Sequence, residues 1–231
     1  MSSRTTGGVK DATKWRGGRW AGGRFRGDWI TGRFVDGTFD GTWEDGVWQN
    51  GVWKVGHWKD GEWRNGTWQS GCWRGGKWLD GTWHYGIWER GTWHNGHWKN
   101  GKWENGVWCK GTWDDGCWVN GTWSNGCWRD GTWWGGIWNS GAFYDGLWKN
   151  GVWRSGDWFD GTWHHGSWWS GTWKDGTWVY GNWDNGVWEG GTWKSGTWHG
   201  GEWRGGTWLG GWILPPGSLE YVYSSTPPSS A

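Results

Sequence analysis

The sequence is short of almost everything that an ordinary soluble domain is built from. It has a single Met and few Leu or Ile, so a conventional aliphatic core is excluded. No apolar run approaches the roughly 20 residues that a membrane-crossing helix needs, and the N-terminus lacks the apolar stretch of a secretory leader. Synthesis in the cytoplasm is therefore expected, with no membrane partner. The four cysteines (Cys72, Cys109, Cys117, Cys127) form no CxxC pair and no disulfide framework, which points to free thiols in a reducing compartment. Net charge is nearly absent as well, at +1, but it is unevenly placed. Met1–Val35 carries Arg4, Lys10, Lys14, Arg16, Arg19, Arg24, Arg26 and Arg33 against Asp11 and Asp28, which is +6 and leaves −5 for the remainder.

What is present is Gly and Trp, 51 and 39 of 231 residues. An aromatic content of 21% separates the chain from disordered sequences, which lack aromatics, and makes Trp the core. From Gly41 to Gly210 the unit Gly-x-Trp-x-x recurs 34 times without an insertion, and Phe143 is the single centre that is not Trp. Upstream the pattern continues through Trp15, Trp20, Phe25, Trp29, Phe34 and Phe39, with two four-residue units, Gly23–Arg26 and Gly37–Asp40. The register breaks at Gly211–Trp212, and Pro215-Pro216 follows.

The second position is β-branched in 20 of the 34 strict units, and the fifth is Asn or Asp in 17. The first favours extended backbone. The second, always followed by Gly, marks a corner, because Asn and Asp tolerate positive φ. Helix is excluded, since Gly at every fifth residue costs about 1 kcal/mol each time. The unit is thus a three-residue strand, x-Trp-x, and a turn.

Two all-β arrangements satisfy this. Corners that reverse the chain give an antiparallel β-meander of short hairpins, and runs such as Trp63-Arg64-Asn65-Gly66-Thr67-Trp68 resemble tryptophan-zipper hairpins. A meander of five-residue units must alternate two turn types, because a strand's hydrogen-bonding groups face opposite neighbours in turn. Asn and Asp show no such alternation. Corners that turn by a right angle give instead a four-sided β-solenoid with a Trp core. Forty units then make about ten coils, and residues 20 apart stack. In that register Val47, Thr67, Ile87, Val107 and their successors form one uncharged column and Val52, Cys72, Thr92, Thr112, Thr132 another. The expected organisation is an arm (1–12), a repeat solenoid (13–210), and a cap with a Ser/Pro tail (211–231).

This pattern resembles the pentapeptide-repeat family, whose units place a small residue, a polar residue and then an inward Leu or Phe. Here Trp stands at the centre and Gly at the small position. The resemblance implies a solenoid over Thr13–Gly210. Some family members bind topoisomerases through strongly acidic surfaces, and the near-neutral charge here disfavours that role.

Candidate sites are few. Catalysis needs a pocket with titratable groups in unlike environments, and a repeat of identical corners offers none, so no enzyme activity and no cofactor are expected. The seven His fall mostly on outward positions, scattered rather than converging as a zinc site requires. Trp134, Tyr144, Phe159 and Trp169 sit at the outward fourth position and are candidate contact residues. Arg16, Arg19, Arg24 and Arg26 are candidate docking residues on the basic end. A column read as basic (Lys54, Arg74, His94, Asp114, Trp134, Arg154, Lys174, Lys194) lies beside the uncharged one. Ile213, Leu214, Leu219, Tyr221, Val222 and Tyr223 are expected to cap the end. The function expected is that of a structural building block in a multi-protein assembly, a phage or viral tail, fibre or surface component, with other structural proteins and further copies as partners and nucleic acid disfavoured. The alternative is a glycan- or surface-binding module that uses the outward aromatics.

Overall fold

The computed structural model describes residues 4–5, 9–215 and 217–228, with side chains from Lys14 onward. Strands are the only regular secondary structure among the described residues. The chain divides into two compact units, Met1–Gly116 and Cys117–Ala231, each a β-solenoid filled with aromatic rings.

Val9–Trp43 is one continuous strand and Val52–Trp58 a longer one; elsewhere in the repeat region, in both units, the strand of one repeat is the two residues at its second and third positions, such as Thr92–Trp93. It pairs in parallel with the strands 15 residues before and after it: Thr92 with Lys77 and Val107, and Trp93 with Trp78 and Trp108. Trp93 pairs with Trp98 nowhere, so the meander is excluded. The same register corrects the expected four sides. A coil closes after three units, Thr92, Thr112 and Thr132 do not stack, and the uncharged columns dissolve, because Val47 pairs with Glu62 and Glu62 with Lys77. Counted over both units, the coils number about 12.

The corner residue explains the third side. A triangular coil must turn more sharply at each corner than a square one, and Gly at positive φ supplies that turn, at +124° in Gly66 and +119° in Gly146. Neither could carry a side chain. A Cβ on Gly66 would lie 2.5 Å from the Gly51 carbonyl oxygen, and one on Gly146 2.5 Å from that of Gly131. Asn and Asp act differently from expectation, since among the described residues none other than Gly has positive φ. Their side chains accept a hydrogen bond from the next Gly N–H instead, as in Gly66 N to Asn65 Oδ1 at 2.7 Å and Gly131 N to Asp130 Oδ1 at 2.6 Å. Backbone bonds then join successive coils: Thr92 N–H donates to Gly76 O at 3.0 Å and His94 N–H to Trp78 O at 2.7 Å.

Three rings from each coil fill the interior. Rings of successive coils stack face to face, as in Trp78–Trp93 with centroids 4.7 Å apart and planes 6° from parallel. Neighbours along the chain meet edge to face, as in Trp83–Trp88 at 6.1 Å and 73°. The 4.7 Å stack is the spacing of neighbouring β-strands, so the backbone ladder and the ring ladder share one period. Both geometries are favoured for aromatic pairs and add about 0.5–1.5 kcal/mol beyond burial. Indole N–H groups point toward the corner of the next coil. Trp48 Nε1 donates to Asn65 O and Trp178 Nε1 to Ser195 O, each at 3.1 Å, whereas those of Trp63 and Trp153 are buried without a partner.

Phe143 points inward, as its position in the repeat predicts, and is fully buried. The coil adjusts around it, with its ring 5.6 Å from Trp128 and 4.1 Å from Trp158. The two four-residue units leave the columns unbroken too. Their centres, Phe25 and Phe39, stack on each other at 5.2 Å, so a shortened side holds a smaller ring. The lost residues appear as pairings of 14, such as Thr38 with Val52, and a register shift between Phe39 and Asp40 restores 15.

Candidate interaction surfaces

With every repeat centre turned inward, chemistry on the outside is confined to the second, fourth and fifth positions. The four aromatic candidates stand there as expected, but the register distributes them over three strand columns of the unit Cys117–Ala231. Trp134 lies on the column of Thr132, Trp169 on that of Thr122, and Tyr144 and Phe159 on that of Cys127. Only the last two meet, stacked at 4.6 Å and 17°. Each aromatic column is continued by a cation. Lys174 Nζ lies 3.9 Å from the Phe159 ring centroid, Lys149 Nζ 5.8 Å from that of Trp134, and the Arg154 guanidinium 5.3 Å from that of Trp169. The four do not form one platform.

The basic column dissolves for the reason given above. Lys54 and Arg74, and likewise Trp134 and Arg154, lie on different columns of their units. Cys117 and Cys127 lie on different strand columns, and all four cysteines are free. The Cys72 thiol is pushed up to about 11 by burial and by Glu89, to which its Sγ donates at 3.1 Å.

Among the basic candidates, Arg16 and Arg19 are exposed. Arg24 and Arg26 converge on one carboxylate, with Asp40 Oδ2 3.8 Å from Arg24 Nη2 and 3.5 Å from Arg26 Nε. Arg4–Thr5 pairs in parallel with Arg19–Trp20, while residues 1–3 and 6–8 of the arm lie outside the described residues. Among the described residues no group of three or more His, Cys, Asp or Glu converges on a metal position. His97 Nε2 instead contacts Asp114 Oδ2 at 2.5 Å.

At the C-terminal end, Gly211–Ile213 continues the solenoid in parallel on Thr197–Trp198 and then receives Val222–Ser224 antiparallel. Ser224 O accepts from Trp208 Nε1 at 3.0 Å, and Tyr221 Oη contacts His199 Nδ1 at 2.6 Å. The capping residues divide: Ile213 and Leu214 are half-buried, whereas Leu219 is 98% exposed. A cleft of about 370 Å³ lies beneath the returning chain, lined by Trp198, His199, Ile213, Leu214 and Pro215 among others.

Sequence reasoning missed one feature, because it needs the true register. On the column of Thr132, Leu147, Thr162 and Thr177, the corner before the strand carries Asp130, Asp145, Asp160 and Asp175 on four successive coils, all exposed. The fourth position of the same column carries Trp134, Lys149, His164, Val179 and Lys194, with no acid among them. Burial, then Lys149, His165 and Lys194, lower the pKa of His164.

No family model and no curated protein matches the chain. The chain is a Trp-rich β-solenoid of regular five-residue repeats.

Proposed function

We propose that the chain is a structural building block of a multi-protein assembly, in its most concrete form a tail, fibre or surface component of a virion. The observation that carries this reading is the uniformity of the core, with an indole or phenyl ring at the centre of every repeat, stacked coil on coil. Such a ladder resists bending and shear through many small, identical contacts, which suits a part that must hold shape. Kinship with the pentapeptide-repeat proteins is a finer proposal. It rests on the five-residue unit with an inward centre, and the three-strand coil with Trp at that centre favours convergence on that unit over descent. The glycan-binding alternative would need aromatic rings that converge, and Trp134 and Trp169 stand on separate columns.

The test is location and incorporation. Mass spectrometry of purified particles from the native source should find the chain at a fixed stoichiometry. Deleting residues 1–12, or 214–231, should leave a folded solenoid that no longer incorporates. Normal incorporation of both truncated forms, or absence of the chain from any particle, would overturn the reading.

A further inference from the structure

The acidic row and the basic row flank one strand column. The rows are parallel, because corners and strands both repeat every 15 residues: Leu147 N–H donates to Gly131 O and Thr162 N–H to Gly146 O, as Lys149 N–H does to Trp133 O and His164 N–H to Trp148 O. Three residues separate Asp145 from Lys149, so their Cα atoms lie at most about 13 Å apart, at opposite margins of the strand Leu147–Trp148. Among the described residues, no ion pair joins the two rows within one molecule. Among the described residues, none of Asp130, Asp145, Asp160 and Asp175 joins an ion pair.

The corner does not require this charge. Each of the four carboxylates accepts from the next Gly N–H at 2.6–2.7 Å. In the same unit Asn125, Asn150 and Asn185 make the same bond at 2.7–2.8 Å without charge. Stacking four like charges at strand spacing is destabilising, so the row is a cost that the fold could have avoided with Asn. The cost is recovered when a cationic row covers it.

We propose that this face is a self-association surface, on which a second copy of the chain lies side by side and parallel, each copy's carboxylate row over the other's lysine row. The symmetry follows from the layout. A two-fold axis parallel to the stacking direction exchanges the two margins of the face and sets acid over base on both sides, whereas an axis across the rows sets acid over acid. At equal heights Asp145 meets Lys149 of the second copy and Asp160 its His164, while Asp130 faces Trp134 and Asp175 faces Val179, each one coil from a lysine (Lys149 and Lys194), with Leu147, Thr162 and Thr177 between the rows. The charged stretch covers about five strands, roughly 24 Å by 13 Å. That is about 300 Å² on each copy, well short of what a stable dimer buries, so association is weak, salt-sensitive and strengthened by repetition in an assembly. This inference rests on the building-block reading and specifies one contact within it.

Sedimentation of the full chain at low salt tests it. Wild type is expected to dimerise in the high-micromolar range and to dissociate as salt is raised. Asp145→Lys with Asp160→Lys, and separately Lys149→Glu with Lys194→Glu, should each weaken dimerisation about tenfold or more. Lys110 already occupies a corner in the other unit, so Lys is compatible with that position, and circular dichroism would verify folding. An equimolar mixture of the two variants should dimerise again, because the Asp145→Lys side chain of one then faces the Lys149→Glu side chain of the other, while Asp145 of the second still faces Lys149 of the first. A monomeric wild type, or reversals that leave the dimer unchanged, or a mixture that fails to associate, would overturn the proposal. Incorporation of wild type into its particle would still uphold the building-block reading in each of those cases.

Discussion

The outward fourth-position row of the unit Met1–Gly116 runs Glu44, Lys59, Arg74, Glu89, Glu104, and the matching row of the unit Cys117–Ala231 runs Trp134, Lys149, His164, Val179, Lys194. In the first, opposite charges meet up the column: Lys59 Nζ lies 2.7 Å from Glu44 Oε1, and Arg74 Nε 3.9 Å from Glu89 Oε1. In the second, one sign predominates, and the opposite sign has its own row across the strand. The rings beneath the two rows are indistinguishable, stacked at 4.7 Å in Trp43–Trp58 and in Trp148–Trp163. The repeat therefore dictates the inside and leaves the outside free, so the outside is where one unit can differ from the other and where a partner can be specified.

If the interiors are equivalent, damage to them should be equal and large. Trp93→Ala and Trp163→Ala should each cost about 4 kcal/mol or more, measured by denaturant unfolding. Unequal losses would mean that the two cores are not alike. Gly146→Ala should cost on the order of 3 kcal/mol, because it combines positive φ with a clash against the Gly131 carbonyl. A near-neutral result would show that the corner can relax.

Smaller effects sharpen the contrast. Phe143→Trp restores the missing ring and should gain about 1 kcal/mol, read as a rise in Tm of about 2–4 °C. The outward rows should respond with opposite sign. In dilute solution, where the chain is monomeric, Asp145→Asn with Asp160→Asn should stabilise by a few tenths of a kcal/mol, since like charges are removed and the corner bond is kept. Glu44→Gln should destabilise by a similar amount through loss of the Lys59 pair. The same sign for both would dissolve the distinction between the two faces.

Much of this was legible in the sequence. Strict recurrence of Gly-x-Trp-x-x specified strands, corners and an all-inward Trp core, and it predicted the burial of Phe143. The number of sides was not legible from the second-position columns, because charges on an outer face obey no packing rule and group readily by chance. The signal that could have found it was the invariant Gly. A right-angle corner tolerates other small residues, whereas the sharper turn of a triangle needs positive φ and no Cβ. The aromatic candidates were correctly placed outside, but which of them meet depends on that same number, so Tyr144 and Phe159 came together while Trp134 and Trp169 did not.

The most direct test of the three-strand coil is a pair of engineered disulfides, in a background with the four native cysteines replaced by serine. Neighbouring Cα atoms on adjacent parallel strands lie about 4.8 Å apart, within the range that a disulfide spans. Thr92→Cys with Val107→Cys, 15 residues apart and paired in register, should therefore cross-link on mild oxidation of the folded monomer, while Thr92→Cys with Thr112→Cys should not. Cross-linking of the second pair and not the first would establish four sides and contradict the account.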